Sequence, residues 1–514
     1  MQRPGMQAPE PPPRASDATV VTIGIDVGTT NLKLLAATPS GAVLHGVSRP
    51  MVVHRPEPGW ADFDLEALDD AILNGLTEIV ENLPAGASVA AIAVDSIGES
   101  FVGVDADGAI ITSCPTWFDR RTSNARNDLG IEVDHWYDVT GMADDDIATI
   151  HRLHWLMRHG LVDNTRVRTW MNVADYCTYR LSGEAVAAPS LAARSGLFDR
   201  TTGGWSSEFV HAVGLHEDQL PRAQPAATIA GGLLPDVARR IGLPCGTPVV
   251  NAGHDHPCAG VACKVLDMGS LMDSTGTAEA VKTVVAGPLR YDETLQGRYD
   301  CYPHAVPGRF LLSGHLPSAG GFIAWLTRAL TGDEAGRERS RSQDDLLAEA
   351  LESLPGARGI RVLPFLEGTG APYNERAQTA EFVGLRGFHR RADLLRAAYE
   401  GCAFWLEVNV ATMARIVGGQ IDTIIAVGGG ARSDLWLQIK AALLQRPITV
   451  PQVTEAAALG AAFVGGIAVG AIANLEALPT LPSRAISADD DLRAAYAPVA
   501  ADYRRIHRQR FGAL

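Results

Sequence analysis

Basic charge is what this 514-residue sequence is short of: 44 Lys and Arg stand against 59 Asp and Glu, a formal net charge of −15 at pH 7. That balance repels polyphosphate backbones and anionic lipid, which excludes nucleic acid and membrane surfaces as general partners. Cysteine is scarce as well. Seven of them, an odd number scattered along the chain, build no disulfide framework and read as reduced thiols of a cytoplasmic protein. Met1–Ala18 is rich in proline and lacks the apolar stretch of a signal peptide, so a disordered tail is expected over 1–18. Long apolar runs are missing too, with one exception. Ala456–Ala473 carries no charge and contains Gly466-x-x-x-Gly470, but its large apolar residues are few. Without an aromatic belt or flanking basic cluster, it is expected to be a close-packed buried helix rather than a membrane span.

What is present is ordinary globular composition, 46% apolar and 20% charged, over a length that suits about two to four domains. Val20–Ile25 reads as a buried strand. A turn over Asp26–Asn31, strand Leu32–Ala37, a Pro39-Ser40-Gly41 turn and strand Ala42–Val47 predict an antiparallel meander. Asp64 is placed to cap a helix with Leu65, Leu68, Ile72, Leu76 and Ile79 on one face, ending before Pro84. Val89–Val94 is a further strand, Asn124–Leu243 is expected to be mostly helical, and a second αβ unit is expected to begin at Pro248. A long helix follows over about Ala392–Ile416, then a strand over Thr423–Val427. Asp26-Val27-Gly28-Thr29-Thr30 is echoed by Asp273-Ser274-Thr275-Gly276-Thr277, which suggests two halves of like topology.

Three segments are placed for chemistry. The turn after Asp26 offers Gly28 for close backbone approach and Thr29 and Thr30 for amide and hydroxyl donors. That makes a phosphate cradle with Asp26 near a cation, or a plain hairpin turn. Lys33 touches phosphate or is an exposed strand lysine. Asn251-Ala252-Gly253-His254-Asp255-His256-Pro257-Cys258 lies at a strand–helix junction, a usual place for ligands. Asp255 is a candidate general base; capping of the following helix is the plain alternative. His254, His256, Cys258 and Cys263 fit no standard zinc spacing. Gly428-Gly429-Gly430 follows an apolar strand and lets a flat group approach the backbone, but lacks the spacing of a dinucleotide or P-loop motif.

The segment Ala380-Glu381-Phe382-Val383-Gly384-Leu385, with Asp393-Leu394 and Ala397-Ala398-Tyr399-Glu400 downstream, resembles a signature of the FGGY carbohydrate kinases. Other motifs agree in order. Ile25–Thr30 is similar to that family's first phosphate motif, Trp117-Phe118-Asp119-Arg120-Arg121 to its sugar-side element, and Tyr179-Arg180-Leu181-Ser182-Gly183 to its YRLTG turn. Gly253-His254-Asp255 resembles the catalytic aspartate motif, Gly276-Thr277 the second phosphate motif, and Gly428 through Gln438 the adenosine motif. The resemblance implies an α/β fold of two actin-like (ribonuclease-H-like) domains with a deep cleft, a sugar side over 19–250 and an ATP side over 251–514. It implies ATP and Mg²⁺. Phosphate contacts fall on Gly28, Thr29, Thr30, Gly276 and Thr277, adenosine contacts on Gly428, Gly429, Gly430 and Ser433, and the metal on Asp26 (through water) and Asp255. Asp255 would take the proton from the attacking hydroxyl, and the uncharged Ala456–Ala473 run would be a buried helix of the ATP-binding domain.

Gly98-Glu99 stand where glycerol kinases carry Arg-Glu and xylulokinases Met-His. Glu99 is expected to accept substrate hydroxyls while Gly98 leaves room for a longer or branched molecule, with Trp117, Asp119 and His256 as further substrate contacts. The plain alternative pairs Glu99 with Arg120 or Arg121. A pentulose-like ketose is favoured over a polyol of the glycerol or erythritol type. A non-catalytic actin-like sugar sensor is the remaining reading, against which Asp26, Asp255 and Gly276-Thr277 argue. The expected partner is a small sugar or polyol, and a homodimer is compatible with the sequence.

Overall fold

The computed structural model describes residues 19–122, 129–143, 147–331 and 343–512; the expected tail over 1–18 lies outside them. Val20–Val27, Asn31–Ala37 and Val43–Pro50 form the antiparallel meander, with Ile25 opposite Leu34 and Leu34 opposite Val47. On its other edge Val20–Val27 pairs in parallel with Ser88–Ser96, which pairs in parallel with Pro248–His254. With Ile229–Gly232 these make a six-stranded sheet. Helix Leu65–Glu81 begins where Asp64 accepts the amide of Ala67 at 2.9 Å, and it buries the five apolar residues of the expected face. The described part of 124–243 is less helical than expected: short helices such as Val173–Ser182 alternate with short strands such as Thr169–Asn172.

The second sheet has seven strands and repeats that plan. Ser270–Thr275 and Glu279–Val285 form the hairpin, Phe310–Leu316 and Asp300–Pro303 extend it antiparallel, and Thr423–Val427 and Ile448–Pro451 add in parallel. The echo between Asp26–Thr30 and Asp273–Thr277 is therefore topological: each marks the tip of the first hairpin of its sheet. Two such sheets make the expected actin-like pair.

Two expectations need correction. A division at 250/251 would cut strand Pro248–His254, whose backbone groups are satisfied by the first sheet, with Val249 opposite Ile92 and Gly253 opposite Asp95. The chain changes sheet only between His254 and Ser270, by way of helix Asp255–Ala262. The uncharged run forms helix Ala456–Ala468 and lies on the first sheet rather than within the second. Close backbone approach is the reason. A Cβ on Gly24 would sit 1.8 Å from the Ala458 carbonyl oxygen, and one on Gly460 would sit 1.7 Å from that of Cys258. Small residues serve packing here. No helix among the described residues is long and apolar enough to cross a membrane.

Candidate active site

A cavity of about 920 Å³ opens between the two sheets, lined by Trp117, Phe118 and Arg152 from one side and by Ala278, His315 and Asn374 from the other. Acidic groups stand at the carboxyl ends of the first sheet's parallel strands, the usual place of ligands in such sheets. Asp26 and Asp95 are register neighbours near the ends of their strands, and Asp255 lies two residues beyond Gly253, the neighbour of Asp95 on the next strand.

Asp255 is held between two imidazoles. His254 Nε2 and His256 Nδ1 lie 3.1 and 3.2 Å from its Oδ1, which also accepts the His256 amide at 2.5 Å. Burial alone would raise this carboxyl, but His256 and His254 override it and hold the group well below the usual carboxylate range. Burial keeps His254 neutral, so Nε2 carries the proton donated to Asp255 and Nδ1 remains an unprotonated acceptor with no partner. Cys258 turns away and donates to Ala252 O at 3.3 Å. The two histidines group with Asp255 and not with the cysteines.

Asp26 is 6% exposed; its Oδ1 meets no donor, and its nearest cation, Lys33 Nζ, is 3.9 Å from Oδ2. Burial and then the Asp255 charge push it up to about 7. Lys33 is held by Glu455 at 2.6 Å. Buried carboxylate oxygens without donors are the hard ligands that Mg²⁺ takes, so the residues present fit that ion.

The expected phosphate turns close tightly. Gly28 N donates to Asn31 O at 3.1 Å, and Gly276 N donates to Ala278 O at 2.8 Å. Trp117 Nε1 donates to Thr29 Oγ1 at 2.9 Å, joining the sugar-side motif to the first turn; Thr30 lies in the same turn. Thr277 O accepts the Gly321 amide, so the start of helix Gly320–Thr331 is seated on the second turn. Gly428 and Gly430 pack on that turn from the adjacent strand, since a Cβ on either would lie 2.6 Å from Thr275 atoms, while Gly429 faces open space. Ser433 is spent on structure: it caps helix Asp434–Leu444 by accepting the Trp436 amide at 3.3 Å.

On the sugar side two expectations change. Asp119 lines the cavity and accepts Ala61 N at 2.6 Å, Arg121 N at 2.9 Å and the Arg121 guanidinium, which fixes the loop around it. The room at Gly98 is filled by Arg194, whose Cγ would lie 3.2 Å from an added Cβ. Glu99, 5% exposed, pairs with neither Arg120 nor Arg121 but with Arg194, which binds its Oε1 through Nε and a terminal nitrogen. Arg194 also reaches Asp300 Oδ2 of the second sheet at 2.8 Å and so ties the two domains together. Arg152, another residue missed in the sequence, holds the backbone here by donating to Thr116 O and Trp117 O at 2.6 and 2.5 Å.

Residues 21–262 match the N-terminal domain of the FGGY family of carbohydrate kinases, and residues 271–469 match its C-terminal domain. The chain belongs to the FGGY family of carbohydrate kinases. A xylulose kinase of Escherichia coli is 28% identical over 490 residues, covering 95% of this chain and 98% of that one. A gluconokinase of Bacillus licheniformis is 25% identical over 459 residues, 88% of each. Among solved structures, gluconate kinase from Lactobacillus acidophilus superposes with a TM-score of 0.86 at 24% identity, covering 96% of this chain and 98% of that one. Xylulose kinase from Rhodospirillum rubrum does so with 0.85 at 25%, covering 95% and 98%.

As an FGGY kinase the protein is an ATP-dependent carbohydrate kinase of actin-like fold. Its missed site groups had weak sequence signals. Asp95 ends an apolar strand next to the one that ends in Asp26, so a register argument would have found it. Arg194 sits in a one-turn helix far from Glu99 in sequence, and only the fold joins them.

Proposed function

We propose that the protein transfers the γ-phosphoryl group of MgATP to a hydroxyl of a pentulose-like ketose in the cleft between its sheets. The environment of Asp255 carries this reading. His254 and His256 both occupy Oδ1 and keep the carboxyl ionised, which leaves Oδ2 to accept the proton of the attacking hydroxyl. Asp26 and Asp255 would hold Mg²⁺, which when bound neutralises charge on the phosphoryl oxygens. The amides of the two hairpin tips would position the phosphates and Gly428–Gly430 the adenosine, so that catalysis is mostly positioning and electrostatics. Trp117 lines the cavity and donates to Thr29, His256 stays one-third exposed beside the base, and Glu99 binds Arg194 through Oε1, which leaves Oε2 for a substrate hydroxyl.

The near full-length match to a xylulose kinase supports the ketose; the gluconokinase matches give a sugar acid as the second reading. ADP release measured with ketopentoses, gluconate and glycerol separates them, with the largest kcat/KM expected for a ketopentose. Asp255→Asn should lower the rate by roughly 10²–10⁴ while ATP still binds, the usual weight of a general base. Retention of most turnover in that variant would refute the assignment.

A further inference from the structure

Asp95 is a buried carboxyl beside Asp26, raised well above the usual carboxylate range by burial and then by the Asp26 charge. It is fully buried, and neither of its oxygens meets a donor. Its register neighbour on one side is Asp26, whose Oδ1 is also buried without a donor; on the other it is Gly253, just before Asp255. The near polar groups are few: the Cys258 thiol donates to Ala252 O and is a close neighbour of Asp95, and Lys33, 3.9 Å from Asp26 Oδ2, is bound to Glu455. Three oxygens that meet no donor among the described residues thus lie together near the ends of two paired strands, with the Asp26 charge among the causes that raise Asp95. An ionised carboxylate left in this state costs several kcal/mol, and either a shared proton or a cation from outside relieves it.

We infer that Asp95 joins Asp26 in holding the divalent cation, as a ligand or through one water, and that the site forms before nucleotide binds. This rests on the kinase reading above and extends it: the cation is anchored in the first sheet by the protein itself and does not arrive solely as part of MgATP. Hard oxygen donors select Mg²⁺ or Mn²⁺ over softer ions.

Mn²⁺ titrated into the full chain without nucleotide or sugar, followed through the loss of its free electron paramagnetic signal, tests this directly. The wild type should bind one Mn²⁺, displaced by excess Mg²⁺. Asp95→Asn, which keeps the shape, should weaken that affinity at least tenfold, and Asp95→Ser should do so as well, each with a melting transition confirming a folded protein. Equal Mn²⁺ affinity in wild type and both variants would overturn the inference, because the carboxyls would then be sharing a proton. So would the absence of any nucleotide-independent Mn²⁺ site in the wild type. Failure of every sugar in the ADP-release panel would instead sink the kinase substrate reading while leaving the Mn²⁺ result intact.

Discussion

The two hairpins of like topology treat their aspartates in opposite ways. In the second sheet Asp273 is fully buried and fully answered: Lys440 Nζ lies 2.6 Å from Oδ2, and Thr275 Oγ1 lies 2.9 Å from Oδ1. The same ammonium binds Glu279 at 2.6 Å and Thr275 at 2.8 Å, closing a network behind the second phosphate turn. In the first sheet Asp26 faces Asp95 with no donor for three of their four oxygens. One half spends its charge on its own architecture; the other keeps its charge unspent. A shared fold therefore says little about where chemistry occurs, and the satisfaction of each polar atom says more.

The largest effect should come from removing the answer in the second sheet. Lys440→Met leaves Asp273 and Glu279 buried and unpaired, and about 3–5 kcal/mol of stability should be lost, the usual cost of breaking a buried pair from one side. Asp26→Asn in the first sheet should do the reverse. The amide supplies Asp95 with a donor, so the ligand-free melting temperature should stay level or rise, by on the order of 1 kcal/mol, while MgATP-dependent turnover collapses. Denaturant melts and ADP release on the two variants measure both effects. A stable Lys440→Met protein, or an Asp26→Asn protein that unfolds but turns over, would erase the distinction between the hairpins.

A smaller effect belongs to the contact between domains. Glu99→Ala removes one of the two carboxylates on Arg194 and leaves Asp300 in place. The loss in kcat/KM for sugar should be about 1–3 kcal/mol, with altered discrimination between epimers and ATP affinity preserved. If Glu99 only holds Arg194, melting temperature falls and the epimer ratio does not move. Rates for two epimers beside melting curves decide between those roles.

Much of this was readable in advance because it is local. Strand Thr423–Val427 and the Asp64-capped helix follow from apolar spacing and one capping side chain, and both hairpin tips follow from Asp, Gly and Thr at strand ends. What was not readable is long-range. Nothing near Gly98 announces that Arg194, 96 positions on, fills the space beside it. Asp119 resembles a sugar ligand by motif, and only the fold shows that the amide of Ala61 and the fork of Arg121 also bind its oxygens. The helix Ala456–Ala468 has the composition of a close-packed element, but only the carbonyls it approaches reveal that it lies on the first sheet. Composition names the kind of contact, and the partner is set by topology.

A pH dependence tests whether the second-sheet network is as complete as its distances suggest. One ammonium faces two carboxylates there. Burial raises Glu279, Lys440 opposes that rise, Asp273 adds to it, and the balance puts the group at about 8. The unfolded chain releases the same proton near 4.5, so across the interval from about 4.5 to 8 the folded protein binds more protons than the unfolded one. Stability from this group is then complete below that window and declines as pH rises through it, with no further change above 8. Glu279→Gln keeps a neutral acceptor for Lys440 and has no proton to lose, so its stability should not carry this decline. Unfolding free energies of the two proteins, measured at half-unit steps from pH 5 to pH 9, should therefore converge or cross as pH rises, with the variant gaining on the wild type. A constant offset across the whole range would mean that Glu279 is ionised throughout, and that Lys440 neutralises both carboxylates without help from a proton.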